Sequence, residues 1–322
     1  MVDVSFAEVP AEPGSPKPDA IMVVDNVSRS FGGLKAVDVA HLEIQRGAIT
    51  GLIGPNGAGK TTLFNLLTGF DRPDTGTWAI DGVKLGKRHP HQVARRGVVR
   101  TFQLTKALAK MSVLDNVRLG AANQTGERIL SSLFRFTWRD QEKQITARAH
   151  EMLTRFKLDA KAHDMAGSLS GGQRKLLEMA RALMTDPKVV MLDEPMAGVN
   201  PALTQSLLEH VKSLRDQGMT VVFVEHDMDV IRDISDWVVV MAQGAVIAES
   251  TPDKLADNTA VVDAYLGSHH DQALEFDEHG NPIGATAALA EEIEQAVIET
   301  IEAGGDLSEP VETSGTVEGH KP

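Results

Sequence analysis

The run Ala48-Ile49-Thr50-Gly51-Leu52-Ile53-Gly54-Pro55-Asn56-Gly57-Ala58-Gly59-Lys60-Thr61-Thr62-Leu63-Phe64-Asn65-Leu66-Leu67 passes from an apolar strand pattern, through a glycine-rich loop, into a helical one. A phosphate-binding loop requires that order, and the spacing of glycine, lysine and threonine matches it. Gly54, Gly57 and Gly59 let backbone N–H groups turn inward around an anion, with Pro55, Asn56 and Ala58 completing the loop. The helix start adds its dipole. Lys60 is placed to reach β- and γ-phosphates, Thr61 to offer its hydroxyl to Mg²⁺, and Thr62 follows on the first turn.

Outward from this loop the apolar runs repeat. Val189-Val190-Met191-Leu192 and Val221-Val222-Phe223-Val224 are continuous strand patterns, and amphipathic helical patterns precede or follow them. Strands apolar on both faces between helices indicate a parallel sheet covered on both sides. The first of these runs ends in Asp193-Glu194, acids at the carboxyl end of a core strand, where open α/β sheets bind ligands. Asp193 is the natural Mg²⁺ partner, and Glu194 is placed to orient or deprotonate an attacking water. A second cradle stands at Leu169-Ser170-Gly171-Gly172-Gln173, which opens a helix running through Leu183. Ser170 is a good N-cap, yet two adjacent glycines cost helix stability and leave room for close approach of a ligand. One chain then holds two cradles for one triphosphate. A head-to-tail dimer accommodates both, each subunit's second cradle closing over the other's nucleotide.

Composition narrows the partners. Hydrophobic residues are 42% and charged residues 24%, a globular balance, and no apolar run reaches the roughly 18–20 residues of a bilayer span. The absence of cysteine excludes thiolate metal sites and thiol nucleophiles. The net charge of −13 is nearly all in residues 268–322, which hold 13 acidic residues and one basic residue, Lys321. Residues 1–267 are close to neutral, so neither part attracts nucleic acid electrostatically. Residues 1–20 read as a disordered Pro-rich leader without the basic, apolar pattern of a secretory signal. Residues 104–186 read as a helical subdomain. In the acidic tail, Leu289, Ile293, Val297 and Ile301 make an apolar stripe at intervals of four, a possible amphipathic helix over 286–302.

The order of phosphate loop, Leu169–Gln173 and acidic strand resembles the ATP-binding-cassette ATPases over residues 21–267. The resemblance implies an α/β fold: a P-loop core with a parallel sheet, an antiparallel β subdomain and a helical subdomain bearing the second cradle. It also implies that Gln103, in Thr101-Phe102-Gln103, senses Mg²⁺ and the γ-phosphate, and that His226, in Val224-Glu225-His226-Asp227, is a switch histidine near that phosphate. Phe31 falls where these proteins stack an aromatic on adenine. Singly, each has an ordinary structural reading: a surface glutamine, a satisfied histidine at a strand end, a core aromatic. Phe31-Gly32-Gly33-Leu34-Lys35-Ala36-Val37, Thr68-Gly69-Phe70, Val99-Arg100-Thr101-Phe102-Gln103, Ala197-Gly198-Val199-Asn200-Pro201 and Ala264-Tyr265-Leu266-Gly267 resemble the longer ATPase of branched-chain amino acid importers.

That resemblance implies ATP and Mg²⁺ as ligands, a second ATPase subunit, two transmembrane permease subunits and an extracytoplasmic solute-binding protein. The expected location is the cytoplasmic face of the cell membrane, reached through the permeases. Asn200 stands where most cassette ATPases have aspartate. Three rivals differ in class or cargo. An importer of urea or short amides has a closely similar ATPase, whereas translation or DNA-repair cassettes come as tandem cassettes or on coiled coils, which the single motif set here does not match. A regulator without turnover is opposed by the presence of Glu194 and His226. Because the tail holds none of the nucleotide-site residues, deleting residues 268–322 is expected to leave Mg·ATP affinity within about twofold. Equilibrium binding of labelled ATP to the truncated, folded protein checks this; loss of binding would place the tail inside the catalytic unit.

Overall fold

The computed structural model describes residues 6, 8–101, 107–122, 124, 138–199, 201–255, 258–261 and 263–264. The chain divides into a unit ending at Tyr265 and a second unit from Leu266, and the tail with its apolar stripe at 286–302 lies outside the described residues. Two sheets organise the first unit. Strands β1 (Ala20–Phe31), β2 (Leu34–Gln45), β4 (Thr75–Ile80) and β5 (Val83–Lys84) form an antiparallel sheet in the order β2-β1-β4-β5. Strands β3 (Ile49–Ile53), β6 (Val98–Arg100), β7 (Val189–Asp193), β8 (Thr220–Val224), β9 (Trp237–Ala242) and β10 (Ala245–Ser250) form the second, in the order β10-β9-β3-β8-β7-β6. All its pairings are parallel except β9 with β10. The expected parallel sheet is thus present, with one antiparallel strand, β10, added at its edge. Gln243 and Gly244 both take positive φ, 48° and 84°, the geometry of a two-residue hairpin turn.

The continuous apolar runs are explained by burial on both faces. In β7, Val190 and Leu192 point into one core and Val189 and Met191 into the other; in β8, Val221 and Phe223 face the first and Val222 and Val224 the second. The first core is closed by α3 (Val113–Arg118), α4 (Arg139–Arg155), α5 (Gly171–Leu183), α6 (Pro201–Asp216) and α7 (Met228–Ile234). The second is closed by the antiparallel sheet, α1 (Lys60–Leu67) and Val93 of α2 (Pro90–Ala94). The described part of 104–186 contains helices α3, α4 and α5, with no strand beyond a single bridge between Ser112 and Met165.

The leader corrects an expectation. Among its described residues Phe6, Val9, Ser15 and Lys17 are buried against the rest of the fold. Phe6 stacks on Trp237 at 5.0 Å, and the Lys17 ammonium lies 4.6 Å from the same ring. Lys17 Nζ donates to Glu249 Oε2 at 2.9 Å, and the backbone N–H of Gly14 and the Trp237 indole donate to the same carboxylate. The physical reason is Glu249 itself: it points inward from β10 with no exposure, and a buried carboxylate needs a cation and hydrogen bonds. The leader supplies both, and proline content alone does not reveal that. Lys17→Met leaves Glu249 buried without its cation and is expected to destabilise the fold by about 3–5 kcal/mol, with Glu249→Gln in the same background recovering part of the loss. Urea denaturation of the three proteins measures it; a loss under about 1 kcal/mol would show the clasp to be dispensable.

Candidate functional site

Strand β3, buried along its length, delivers the chain into the loop 54–59, and α1 leaves it. The glycines of the loop serve different ends. A side chain at Gly54 would lie 2.0 Å from the Met241 carbonyl oxygen, and one at Gly59 would lie 2.3 Å from that of Ala36, so these two are fixed by packing against β9 and β2. Gly57, at φ 79°, faces open space with exposed Asn56 beside it. Helix α1 begins with no capping side chain and no acid in its first turn, an arrangement that favours an anion. Lys60 is buried, and its ammonium donates to the carbonyls of Gly54 at 2.6 Å and Pro55 at 3.0 Å. Burial pushes its pKa down, while Glu194 and Asp193 pull it back up. Thr61 is exposed and Thr62 half-buried on the same turn.

Two acids stand near this loop at the end of β7, which is separated from β3 by β8. Asp193 is 5% exposed and is held by the Arg100 guanidinium at 2.5 Å, and Arg100 also donates to Asn65 Oδ1 of α1. Glu194, the next residue, takes a left-handed φ of 46° with its N–H on the Val224 carbonyl. Its carboxylate meets His226 Nε2 at 3.1 Å, and both side chains are partly open to solvent. Asp227 caps α7 through the N–H groups of Asp229 and Val230, which fixes the turn carrying His226. Glu225 is buried and accepts the Met196 N–H at 2.8 Å; burial raises its carboxyl pKa above the ordinary range. Lys60, Asp193, Glu194 and His226 are thus brought to one edge of the parallel sheet.

The second cradle stands apart. Ser170 Oγ accepts the Gln173 N–H and Gln173 Oε1 accepts the Ser170 N–H, a closed capping box at the start of α5. No hydrogen bond or ion pair joins residues 170–173 to residues 54–62 within the described part of the chain. Its two glycines also differ. Gly171 faces open space, whereas a side chain at Gly172 would strike Leu203 of α6 at 1.8 Å. The expected room for a ligand therefore belongs to Gly171, and Gly172 lets two helices meet. Phe31 is 48% exposed, with the Arg29 guanidinium 4.6 Å over its ring. It pairs with Leu34 at the end of the hairpin whose Ala36 abuts Gly59. Gln103 and Asn200 lie outside the described residues.

Three residues of this edge were not singled out from the sequence: Arg100, Lys175 and Glu225. Arg100 stood within the quoted run Val99–Gln103, but only pairing of β6 with β7 brings it to Asp193.

The geometry is that of a nucleotide-binding P-loop domain, and comparison with known proteins places it more closely. Residues 37–197 match the family model described as ABC transporter. A probable branched-chain amino acid transport ATP-binding protein LivG of Archaeoglobus fulgidus is 42% identical over 248 residues, covering 77% of this chain and 96% of that protein. The crystal structure of the ADP conformation of an ATP-binding cassette of an ABC transporter superimposes with a TM-score of 0.66 at 36% identity, covering 77% of this chain and 99% of that one. A dimeric cassette in a post-hydrolysis state, bound to ADP and Pi, superimposes with a TM-score of 0.59 at 25% identity, covering 72% and 98%. The chain belongs to the ABC transporter family, as an ATP-binding cassette ATPase.

The buried Arg100–Asp193 pair gives a direct test of the site's construction. Arg100→Leu is expected to cost about 3–5 kcal/mol by stranding a buried carboxylate, and Asp193→Asn added to it to return much of that loss. A double-mutant cycle by chemical denaturation reads the coupling; additive effects would mean the pair contributes nothing as a pair.

Proposed function

We propose that the chain is the ATP-hydrolysing subunit of an importer for branched-chain amino acids, acting as a nucleotide-sandwich dimer at the cytoplasmic face of the cell membrane. The solute follows from the names its relatives carry, among them the 42%-identical LivG protein. Turnover rests on one observation above the others: the Glu194 carboxylate meets His226 beside the phosphate loop. No described helix is long and apolar enough to cross a membrane, so in this reading separate permease subunits carry the solute, fed by an extracytoplasmic binding protein. The partner ATPase is a second cassette of the same kind, as in the dimeric relative.

Each residue then has a task. The loop 54–59 and the start of α1 hold the phosphates, with Lys60 neutralising the β- and γ-phosphates. Phe31 offers its open face to the adenine. Glu194 orients the attacking water and takes its proton, and His226 fixes that carboxylate and borders the γ-phosphate. Ser170, Gly171, Gly172 and Gln173 form the cradle that closes over the partner's nucleotide. No three His, Cys, Asp or Glu among the described residues converge as a metal cage. A hydroxyl at Thr61 and a carboxylate at Asp193 suit Mg²⁺, which takes few protein oxygens and completes its shell with phosphates and water. Thr61, Asp193 and Gln103 would hold that ion, which supplies charge neutralisation at the β- and γ-phosphate oxygens when bound.

Glu194→Gln is expected to keep ATP affinity, lose roughly 10²–10⁴-fold in turnover and accumulate as an ATP-bound dimer. Lys60→Ala is expected to fail earlier, at nucleotide binding. Steady-state hydrolysis, labelled-ATP binding and size-exclusion chromatography separate these outcomes, and parental turnover in Glu194→Gln would remove the carboxylate from its role. Ser170→Arg is expected to retain monomeric ATP binding while hydrolysis and ATP-dependent dimerisation fall together. Mixing Ser170→Arg with Lys60→Ala subunits creates dimers with one doubly damaged and one intact site, so partial activity returns if the cradle acts in trans. For the solute, cells lacking this chain are expected to lose uptake of labelled leucine and keep that of urea; the reverse result assigns the importer to amides.

A further inference from the structure

Lys175 is the fifth residue of α5, two positions beyond the cradle residue Gln173, and it does not point at the phosphate loop of its own chain. Its ammonium is aimed instead at the backbone that follows Glu194. It donates to the carbonyl oxygens of Glu194 at 3.4 Å, Pro195 at 2.9 Å and Ala197 at 2.5 Å. Three carbonyls from one short loop converge on one half-buried cation. The same loop is held from its other side, where the Met196 N–H donates to buried Glu225. Alternate backbone groups of residues 194–197 are thus pinned by a cation from α5 and by an anion from the end of β8.

The pinned segment needs such support. Glu194 has a left-handed backbone at φ 46°, a conformation that costs a residue with a side chain about 1–2 kcal/mol and persists only when its surroundings impose it. Its side chain reaches His226 from that backbone, so a relaxed φ would swing the carboxylate away. A small cavity lined by Thr101, Lys175, Glu178, Asp193, Glu194 and Pro195 lies at this point, beside the pinned backbone. Burial pushes the Lys175 pKa down and the nearby carboxylates of Glu225, Glu178 and Glu194 oppose that shift.

We propose that Lys175 is the positioning residue of Glu194, holding the catalytic carboxylate at its working angle and tying it to the helix that bears the second cradle of the same subunit. The inference rests on the reading of Glu194 as the residue that activates water. In a sandwich dimer the start of α5 meets the partner's nucleotide, so Lys175 makes the loop behind one site answer to occupancy of the other. Lys175 touches neither nucleotide nor water in this scheme and acts only through the backbone it holds.

Lys175→Met keeps the aliphatic stem and removes all three hydrogen bonds. Expected is a fall in kcat of roughly 10–100-fold, the cost of a misplaced catalytic group, with KM and Kd for ATP within about twofold of the parent. Lys175→Arg, which restores a donor cation, is expected to recover most of the rate. Hydrogen exchange at the amides of 195–199 is expected to quicken in Lys175→Met while exchange in α1 stays as in the parent. Lys175→Gln is measured alongside, in case the methionine variant is poorly folded. Parental kcat in a folded Met or Gln variant overturns the proposal, as does a rise in KM without loss of kcat, or an arginine variant no better than methionine. If kcat in both variants merely follows a lowered Tm, the lysine is structural and the proposal also falls. Glu194→Gln run in parallel separates the two readings: turnover that survives it refutes the role of Glu194, whereas turnover lost there but kept in Lys175→Met refutes only the role of Lys175.

Discussion

The six-stranded sheet is covered on both faces, and that two-sided burial decides where chemistry occurs in this molecule. A strand buried on both sides has no place for a charged side chain along its length, so polar groups collect at its ends. Because β3, β7 and β8 are parallel, their carboxyl ends emerge at one edge. Register makes the alignment close: Leu52 and Asp193 each pair with Val224, so Gly54, Glu194 and Glu225 are the next residues out on adjacent strands or one step beyond. The phosphate loop, the acidic pair and the histidine turn are neighbours for that reason, although about 170 residues separate the first from the last.

The charges at this edge are buried in balanced sets. Arg100 neutralises Asp193, Lys60 lies within the field of Asp193 and Glu194, and Lys175 faces Glu225, Glu178 and Glu194. Burial lowers the pKa of Lys60 and Lys175 and raises that of Glu225, a desolvation penalty on each of these three groups. The return on that cost is an edge where dipoles and charges are already oriented before a phosphate arrives, in surroundings that screen them poorly. The amino-terminal edge of the same sheet solves its own charge problem locally. There the Lys17–Glu249–Trp237 clasp closes over the start of β9, and the leader becomes part of the fold.

The division of labour among glycines shows the same economy of space. Gly54, Gly59 and Gly172 are needed because backbone or a leucine side chain occupies the position a Cβ would take. At Gly57 and Gly171 a side chain would meet open space, and only Gly57 is held at a positive φ, 79°. One residue type meets opposite demands within a single motif, and only the surroundings distinguish them.

Local order along the chain was enough to determine the nucleotide fold, the phosphate loop and the acidic strand end, because strand, glycine turn and helix must follow one another contiguously for an anion to be bound there. The hydrophobic runs likewise settled two-sided burial of β7 and β8, since a one-faced strand would alternate. What tertiary structure alone decided involves partners remote in sequence. Arg100 reaches Asp193 through strand pairing, Lys17 reaches Glu249 across 232 residues, and the Lys175 ammonium reaches backbone carbonyls of 194–197, acceptors that every residue carries and no motif records. Proline density in the leader reports on chain stiffness, whereas the buried carboxylate of Glu249 on β10 is what holds Gly14 and Lys17. Spacing encodes contacts made within one loop or one turn; the charge that a buried group will meet depends on which strands lie side by side, and that is settled only when the sheet closes.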